Sequence, residues 1–182
     1  MQLRAFGYGR SADTSKRGKT ADVYPMRLVA KPQVGGRPLV RDGLMAGAVA
    51  GVLSGAPSTV HALLTGRDPL AAAVAAGDLL LRREGSPGRS RAARMLAGAV
   101  AHTGLSLGWG TVLAVAVRRT SLPPVPAGVA AGAVIAALDL GLLAHGRPGR
   151  RWPLIRALPV WPQVADHLAF GAVAGEVLRR RG

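Results

Sequence analysis

The chain lacks cysteine and asparagine altogether. The absence of cysteine excludes a disulfide framework, thiolate-bound zinc, iron–sulfur clusters and a thiol nucleophile. The absence of asparagine leaves no acceptor for N-glycosylation. Isoleucine occurs only twice, and arginine outnumbers lysine by 21 to 3. Both biases are typical of a GC-rich gene and indicate a bacterial source.

Acidic residues are also scarce, with 9 Asp and Glu against 24 Lys and Arg, so the 182-residue chain carries a formal charge of +15. Yet 49% of its residues are hydrophobic and the mean hydropathy is +0.24, which argues against a soluble nucleic-acid-binding domain. Aromatic residues that could stack on bases make up only 4% of the chain. We therefore predict that the basic residues meet anionic lipid headgroups, with no nucleic-acid partner.

Many basic residues lie in the first part of the chain. Residues 1–41 hold nine Lys and Arg and no long apolar run. We expect this segment to be a mostly disordered cytoplasmic arm, and Met26 is an alternative start that would remove residues 1–25. The remainder, 42–182, is predicted to be a transmembrane helical domain.

Four apolar segments are long enough to cross a hydrocarbon core of about 30 Å as helices that rise about 1.5 Å per residue. They cover residues 43–65, 95–117, 126–145 and 154–178, and a shorter helix is expected over 69–82. The predicted fold is therefore an all-α integral membrane bundle with four spans and one interfacial or re-entrant helix. Five spans remain an alternative, because that count leaves more Lys and Arg on the inside. Both counts place the N-terminus in the cytoplasm and the protein in the bacterial cytoplasmic (inner) membrane.

Glycines recur every fourth residue within the predicted spans. Such spacing lines one helix face with small residues and lets a second backbone approach closely. The stripes predict either packing within one bundle or a seam between copies of the chain or with another membrane protein. The predicted packing positions are Gly43, Gly47, Gly51, Gly55, Gly104, Gly108, Gly128, Gly132, Gly171 and Gly175.

Each predicted span also carries an ionisable residue on or near its small-residue face. Ionisable groups at membrane depth are costly unless paired, and they raise a functional hypothesis by default. The set could be structural, could relay protons because histidine titrates near neutral pH, or could hold a metal or haem. The predicted polar cluster is His61, His102, Asp139, Asp166 and His167.

No soluble-enzyme motif survives inspection. Gly18-Lys19-Thr20 ends like a phosphate-binding loop, but Asp13 stands where that loop requires its first glycine. We predict no catalytic residues, no bound metal and no cofactor. The expected role is a non-enzymatic scaffold or accessory subunit that packs through its glycine faces. The alternative is a proton-coupled carrier or channel for a small solute, built on the His/Asp cluster.

Three segments resemble a group of uncharacterised small multi-pass membrane proteins of high-GC bacteria. They are AGAVAGVLSGAPSTVHALL at 46–64, AHTGLSLGWGTVLA at 101–114 and ADHLAFGAVAGEVL at 165–178. The resemblance covers most of 43–178 and omits the arm. It implies a multi-pass helical architecture and carries no known activity.

Overall fold

A computed structural model of the chain describes residues 38–81, 90–145 and 152–182. All regular structure in these ranges is helical, which confirms the predicted all-α class there. The predicted arm lies outside the described residues as far as residue 37. Its last residues already belong to the first helix, which begins at Leu39.

The first apolar segment forms two helices rather than one. Helix α1 spans Leu39–Leu53 and helix α2 spans Ala56–Leu64, with a turn between them. Pro57 lies in the first turn of α2, where its missing N–H is tolerated because the first amides of a helix have no partner within it. The predicted span 43–65 therefore begins four residues earlier and contains a break.

The short apolar run forms helix α3, Ala71–Leu81, and helix α4 covers Arg91–Arg119. Before α3, the carboxylate of Asp68 forms a 2.7 Å ion pair with the guanidinium of Arg91 at the start of α4. The chain therefore leaves and returns to the same end of the bundle between residues 68 and 91. At about 1.5 Å per residue, α3 is about 16 Å long, too short to span a hydrocarbon core.

The third predicted span, 126–145, is α-helical at first and then π-helical. The fourth, 154–178, is two helices: α6 begins at Pro153, and Pro159, which lacks an N–H to continue it, immediately precedes α7. The elements are α5 (Pro124–Ala136), the π-helical segment (Ala137–Ala144), α6 (Pro153–Arg156) and α7 (Val160–Arg181).

Three helical segments of the described chain are long and apolar enough to cross a membrane: Leu39–Leu64, Arg91–Arg119 and Pro124–Leu142. Helix α7 is as long as a span but is not among them. Between 22% and 28% of the most apolar windows of these three segments is buried inside the bundle. Large apolar side chains such as Val52 (83% exposed) and Leu64 (82% exposed) therefore face outward.

Helices α1 and α4 pack antiparallel through glycine. A Cβ at Gly43 would lie 3.1 Å from the carbonyl oxygen of Gly110, and a Cβ at Gly47 would overlap the backbone of Ser106. Residues later in α1 therefore contact residues earlier in α4. The backbones touch because Gly43 and Gly47 of α1 have no side chains and Gly110 of α4 lies opposite them.

Helices α5 and α7 form a second antiparallel pair of the same kind. A Cβ at Gly128 would overlap the carbonyl oxygen of Gly171, and a Cβ at Gly132 would overlap that of His167. Beside these crossings lies the apolar core of Ala46, Ala50, Leu113, Ile135, Phe170 and Ala174, which are at most 7% exposed. The two glycine pairs and this core form what we call the closed half of the bundle.

The closed half ends where α1 begins and where α4 and α7 end. There the buried carboxylate of Asp42 pairs with Arg118 of α4 at 3.1 Å and with Arg181 of α7 at 2.9 Å. We call this the arginine end. The opposite end, where Asp68 pairs with Arg91, is the far end.

Candidate functional site

A cavity of about 430 Å³ lies between the helices on the far-end side of the closed half. Side chains from α3, α4, α7, the π-helical segment and the α6 region line it, together with the α1–α2 turn. Four of the five residues of the predicted polar cluster belong to its wall: His102, Asp139, Asp166 and His167. The tertiary structure therefore brings together groups from three separate helices.

Asp166 is held by the break in the first span. Its Oδ1 accepts a 2.9 Å hydrogen bond from the backbone N–H of Ser58. That amide is free because the first four N–H groups of α2 have no acceptor within the helix. The carboxylate also faces the positive end of the α2 dipole. The turn at Ser54 and Gly55 thus creates a binding position for a carboxylate from α7.

Asp139 lies in the π-helical segment and faces His167 of α7. The imidazole Nε2 lies 3.4 Å from Asp139 Oδ2, and Nδ1 lies 2.7 Å from the carbonyl oxygen of Gln163. A carbonyl only accepts, so Nδ1 carries a proton and donates it. The Nε2–carboxylate contact then needs a second proton, on either Nε2 or Asp139. One exchangeable proton on either group would turn this 3.4 Å contact into a hydrogen bond.

His102 is the fourth polar cluster residue of the cavity wall, and it lies on α4. Its Nε2 lies 2.9 Å from the carbonyl oxygen of Gly51, so Nε2–H is the donor. A Cβ at Gly51 would lie 2.7 Å from the hydroxyl of Ser106, whereas its distance of 3.8 Å from the imidazole of His102 would be an ordinary contact. This predicted packing glycine therefore makes room for Ser106, which lies one helical turn after His102 on α4.

His61 is the cluster residue that lies elsewhere. It lines a second cavity, of about 300 Å³, together with Arg67 and Asp68 at the far end. The two cavities share three wall residues, Ala72, Leu158 and Gln163. The second cavity is therefore a vestibule that adjoins the first from the far end.

The predicted packing glycines divide into two groups. Those that meet another helix backbone or side chain of the chain are Gly43, Gly47, Gly51, Gly128, Gly132, Gly171 and Gly175. At Gly55, Gly104 and Gly108, a Cβ would meet no described atom within 4 Å. Two glycines that the sequence analysis did not select, Gly77 and Gly98, bring α3 and α4 into contact.

Sequence analysis also missed Trp109 and Asp42. Trp109 lines the main cavity, and its indole Nε1 is buried without a hydrogen-bond partner among the described residues. Asp42 precedes the first predicted span and joins three helix ends. Its signal was available as an acidic residue beside an apolar run, with arginines closing two later runs.

A metal or haem site was one of the interpretations weighed for the polar cluster in the sequence analysis, which predicted no bound metal. Within the described ranges, no group of three or more His, Asp or Glu residues lies close enough together to hold a metal ion. No family model, curated protein or solved structure matches the chain. The site therefore defines this chain only as a helical bundle with an internal polar cavity, and its geometry supports the proposals below.

Proposed function

We propose that the protein is an integral membrane carrier for a small solute, coupled to protons through Asp139 and His167. The observation that supports it most is the convergence of these two residues with Asp166 and His102 on one cavity. A cavity of about 430 Å³ lies in the range of small-molecule sites, roughly 300–1,000 Å³. Polar groups at membrane depth are characteristic of solute and proton pathways.

The outer surface supports membrane insertion. Three apolar segments bury only about a quarter of their most apolar windows, and water would not tolerate the large apolar area that remains. Helix α7 is the fourth span of the proposal. Its lower hydropathy is explained by the polar residues that it directs to the cavity, and it runs antiparallel to α5 over a similar length.

The arrangement of charges supports an orientation. The arginine end holds Arg118 and Arg119 together with the three arginines that close α7. Helix α1 also begins at this end, and eight Lys and Arg precede it in the sequence. By the positive-inside rule this end is cytoplasmic. The far end, with its vestibule, then faces the outside of the bacterial inner membrane.

The proton-binding pair faces a small set of other titratable groups. Across the cavity these are Asp166 on α7 and His102 on α4. The described walls from α3, the α6 region and the α1–α2 turn contribute apolar or uncharged side chains. A solute that binds Asp139 competes with His167 for that carboxylate, so its entry releases the proton to water in the vestibule.

The experiment uses the natural absence of cysteine. Single cysteines are introduced at Ala76 in the cavity wall, at Leu122 near the arginine end and at the lipid-facing Val52. A membrane-impermeant thiol reagent is then added to either side of the membrane. A carrier alternates access, so Ala76→Cys is labelled from both sides, Leu122→Cys only from the inside, and Val52→Cys from neither. Labelling of Ala76→Cys from the outside alone would contradict transport and indicate a receptor, and no labelling would remove the accessible cavity altogether.

A scaffold is the second proposal, and one observation favours it. Gly104 and Gly108 form an exposed glycine pair on α4 that no described residue covers. If the protein associates with itself there, Gly108→Leu lowers the particle mass measured by light scattering in detergent. Gly128→Leu is unsuitable for this test, since it would disrupt the bundle itself. A mass that is monomeric before and after substitution contradicts self-association.

A further inference from the structure

The charge in the main cavity is negative. Asp139 and Asp166 both line it, and no Lys or Arg does so among the residues that the structure describes. The proton shared by Asp139 and His167 neutralises one carboxylate, while Asp166 is stabilised by the amide of Ser58 and the α2 dipole. A half-buried carboxylate whose hydrogen-bond partner is a neutral backbone amide, as at Asp166, favours binding of a cation.

The wall is also aromatic, although aromatic residues are rare in this chain. Trp109, Trp152 and Phe170 surround the same space as the two carboxylates. Two of the three tryptophans of the sequence are therefore at one site. Aromatic faces attract cations, most strongly where water is excluded, and they also bind apolar substituents.

The size of the cavity excludes a bare ion as a good fit. A volume of about 430 Å³ greatly exceeds the roughly 30 Å³ that one water occupies in the liquid. The described histidines and carboxylates also form no cluster suited to a metal ion. A ligand must therefore bring its own apolar volume with its charge.

We propose that the carrier's ligand is a lipophilic organic cation, bound between Asp139, Asp166 and the aromatic wall and exchanged for the proton of the Asp139–His167 pair. This inference rests on the proposed carrier function. The cation takes the carboxylate of Asp139, the proton leaves His167 Nε2 to water, and the charge of the cavity is unchanged.

The probe is tetraphenylphosphonium, and tetraphenylborate serves as an anion of similar size and shape. Binding to the purified full-length chain is measured by equilibrium dialysis in a mild detergent, with empty micelles as the blank. We expect saturable binding of the phosphonium alone, which weakens as pH falls and releases protons in weak buffer. Equal saturable binding of both ions, or of neither, overturns the inference.

The matched variants lie on one helix. Asp166→Asn removes a cavity carboxylate, whereas Glu176→Gln makes the same change at an exposed ion pair with Arg179 and Arg180. We expect about tenfold weaker binding for Asp166→Asn and unchanged binding for Glu176→Gln. Trp109→Phe is expected to weaken binding about threefold, because it keeps a ring but loses the indole. Equal effects of the two carboxylate changes would contradict the proposed site.

A second measurement leaves the binding residues intact, in case Asp166→Asn fails to fold. Tetraphenylphosphonium should protect Ala76→Cys from the thiol reagent, and tetraphenylborate should not. If Ala76→Cys is labelled from both sides without protection, the organic-cation inference fails and the carrier proposal stands. If Ala76→Cys is not labelled at all, both fail together.

Discussion

The closed half and the cavity half of this bundle are built from the same few residue types and differ in how the helices are interrupted. In the closed half, α1 and α5 run without a break and place glycines against α4 and α7. In the cavity half, the Ser54–Gly55 turn, the π-helical segment and Pro159 each displace a helix from regular geometry. Small residues permit close contact only where both helices are regular.

The interruptions also supply the polar chemistry. The break before α2 frees the amide that binds Asp166, and the π-helical segment carries Asp139 to the cavity wall. π-Helical turns within α-helices are frequently found at functional sites. In both places the irregular backbone lines the polar cavity.

The largest contrast is expected from adding the same bulk to both halves. Ala174 is fully buried in the closed half, and Ala76 lines the cavity. We expect Ala174→Leu to cost about 3 kcal/mol or more, because the added carbons have no space. Ala76→Leu should stay within about 1 kcal/mol and abolish tetraphenylphosphonium binding. Thermal unfolding in detergent, followed by circular dichroism, measures both. Equal destabilisation would mean that the cavity half is as tightly packed as the closed half.

A smaller change compares two glycines with opposite surroundings. At Gly171 even a methyl group would overlap the carbonyl oxygen of Gly128, whereas at Gly108 it would meet no described atom within 4 Å. Gly171→Ala is expected to cost about 2 kcal/mol, since the two backbones must separate. Gly108→Ala should be neutral or stabilising by up to about 1 kcal/mol through helix propensity. The shift in the midpoint temperature of unfolding shows whether each substitution stabilises or destabilises the protein. Destabilisation by Gly108→Ala would point to a partner on that face.

The arginine end can be tested by removing its central charge. Asp42→Asn leaves Arg118 and Arg181 without their shared carboxylate, and a cost of about 2 kcal/mol is expected after allowance for the partial exposure of both guanidinium groups. Glu176→Gln, at an exposed pair, is the control and should leave the midpoint temperature unchanged. If Asp42→Asn behaves like the control, the buried cluster does not hold the helix ends together.

The smallest effect is expected at the far end, where the ion pair is exposed. The backbone N–H of Leu70 and the guanidinium of Arg91 lower the pKa of Asp68 below its ordinary value of 3.8. Asp68 therefore stabilises the fold at pH values above 3.8, and this contribution is lost as pH falls through the lowered folded-state pKa. Unfolding of the parent and of Asp68→Asn should differ slightly at neutral pH and converge in acid. A difference that persists in acid would assign it to packing rather than to charge.

The sequence analysis predicted the helices and the closed half better than the cavity half. Periodicity and length indicated the helical class, and the four-residue spacing of glycines selected seven positions that do meet another helix. The spacing could not separate those positions from Gly55, Gly104 and Gly108. Spacing shows which helix face carries the glycines but not which helix, if any, packs against that face. The fourth predicted span was drawn as one helix, although its prolines divide it into α6 and α7.

The candidate site was predictable only as a set of residues. Four of the five cluster members line one cavity, but His61 lies in the vestibule, one helical turn beyond the amide of Ser58 that binds Asp166. Trp109 and Asp42 carry no periodic signal of their own. Their roles depend on which helices are neighbours, which a single sequence does not specify.

The sequence by itself determined that the chain forms apolar helices, where their small faces lie and which ionisable groups they carry, because these follow from residue type and helical period. Only the tertiary structure decided that the small faces meet within one chain, that His167 Nε2 lies 3.4 Å from a carboxylate oxygen of Asp139, and that a cavity lies beside them. Those features depend on contacts between residues far apart in sequence, such as the Ser58 amide and Asp166, 108 positions apart. Local rules fix the elements, and packing fixes which of their polar groups meet.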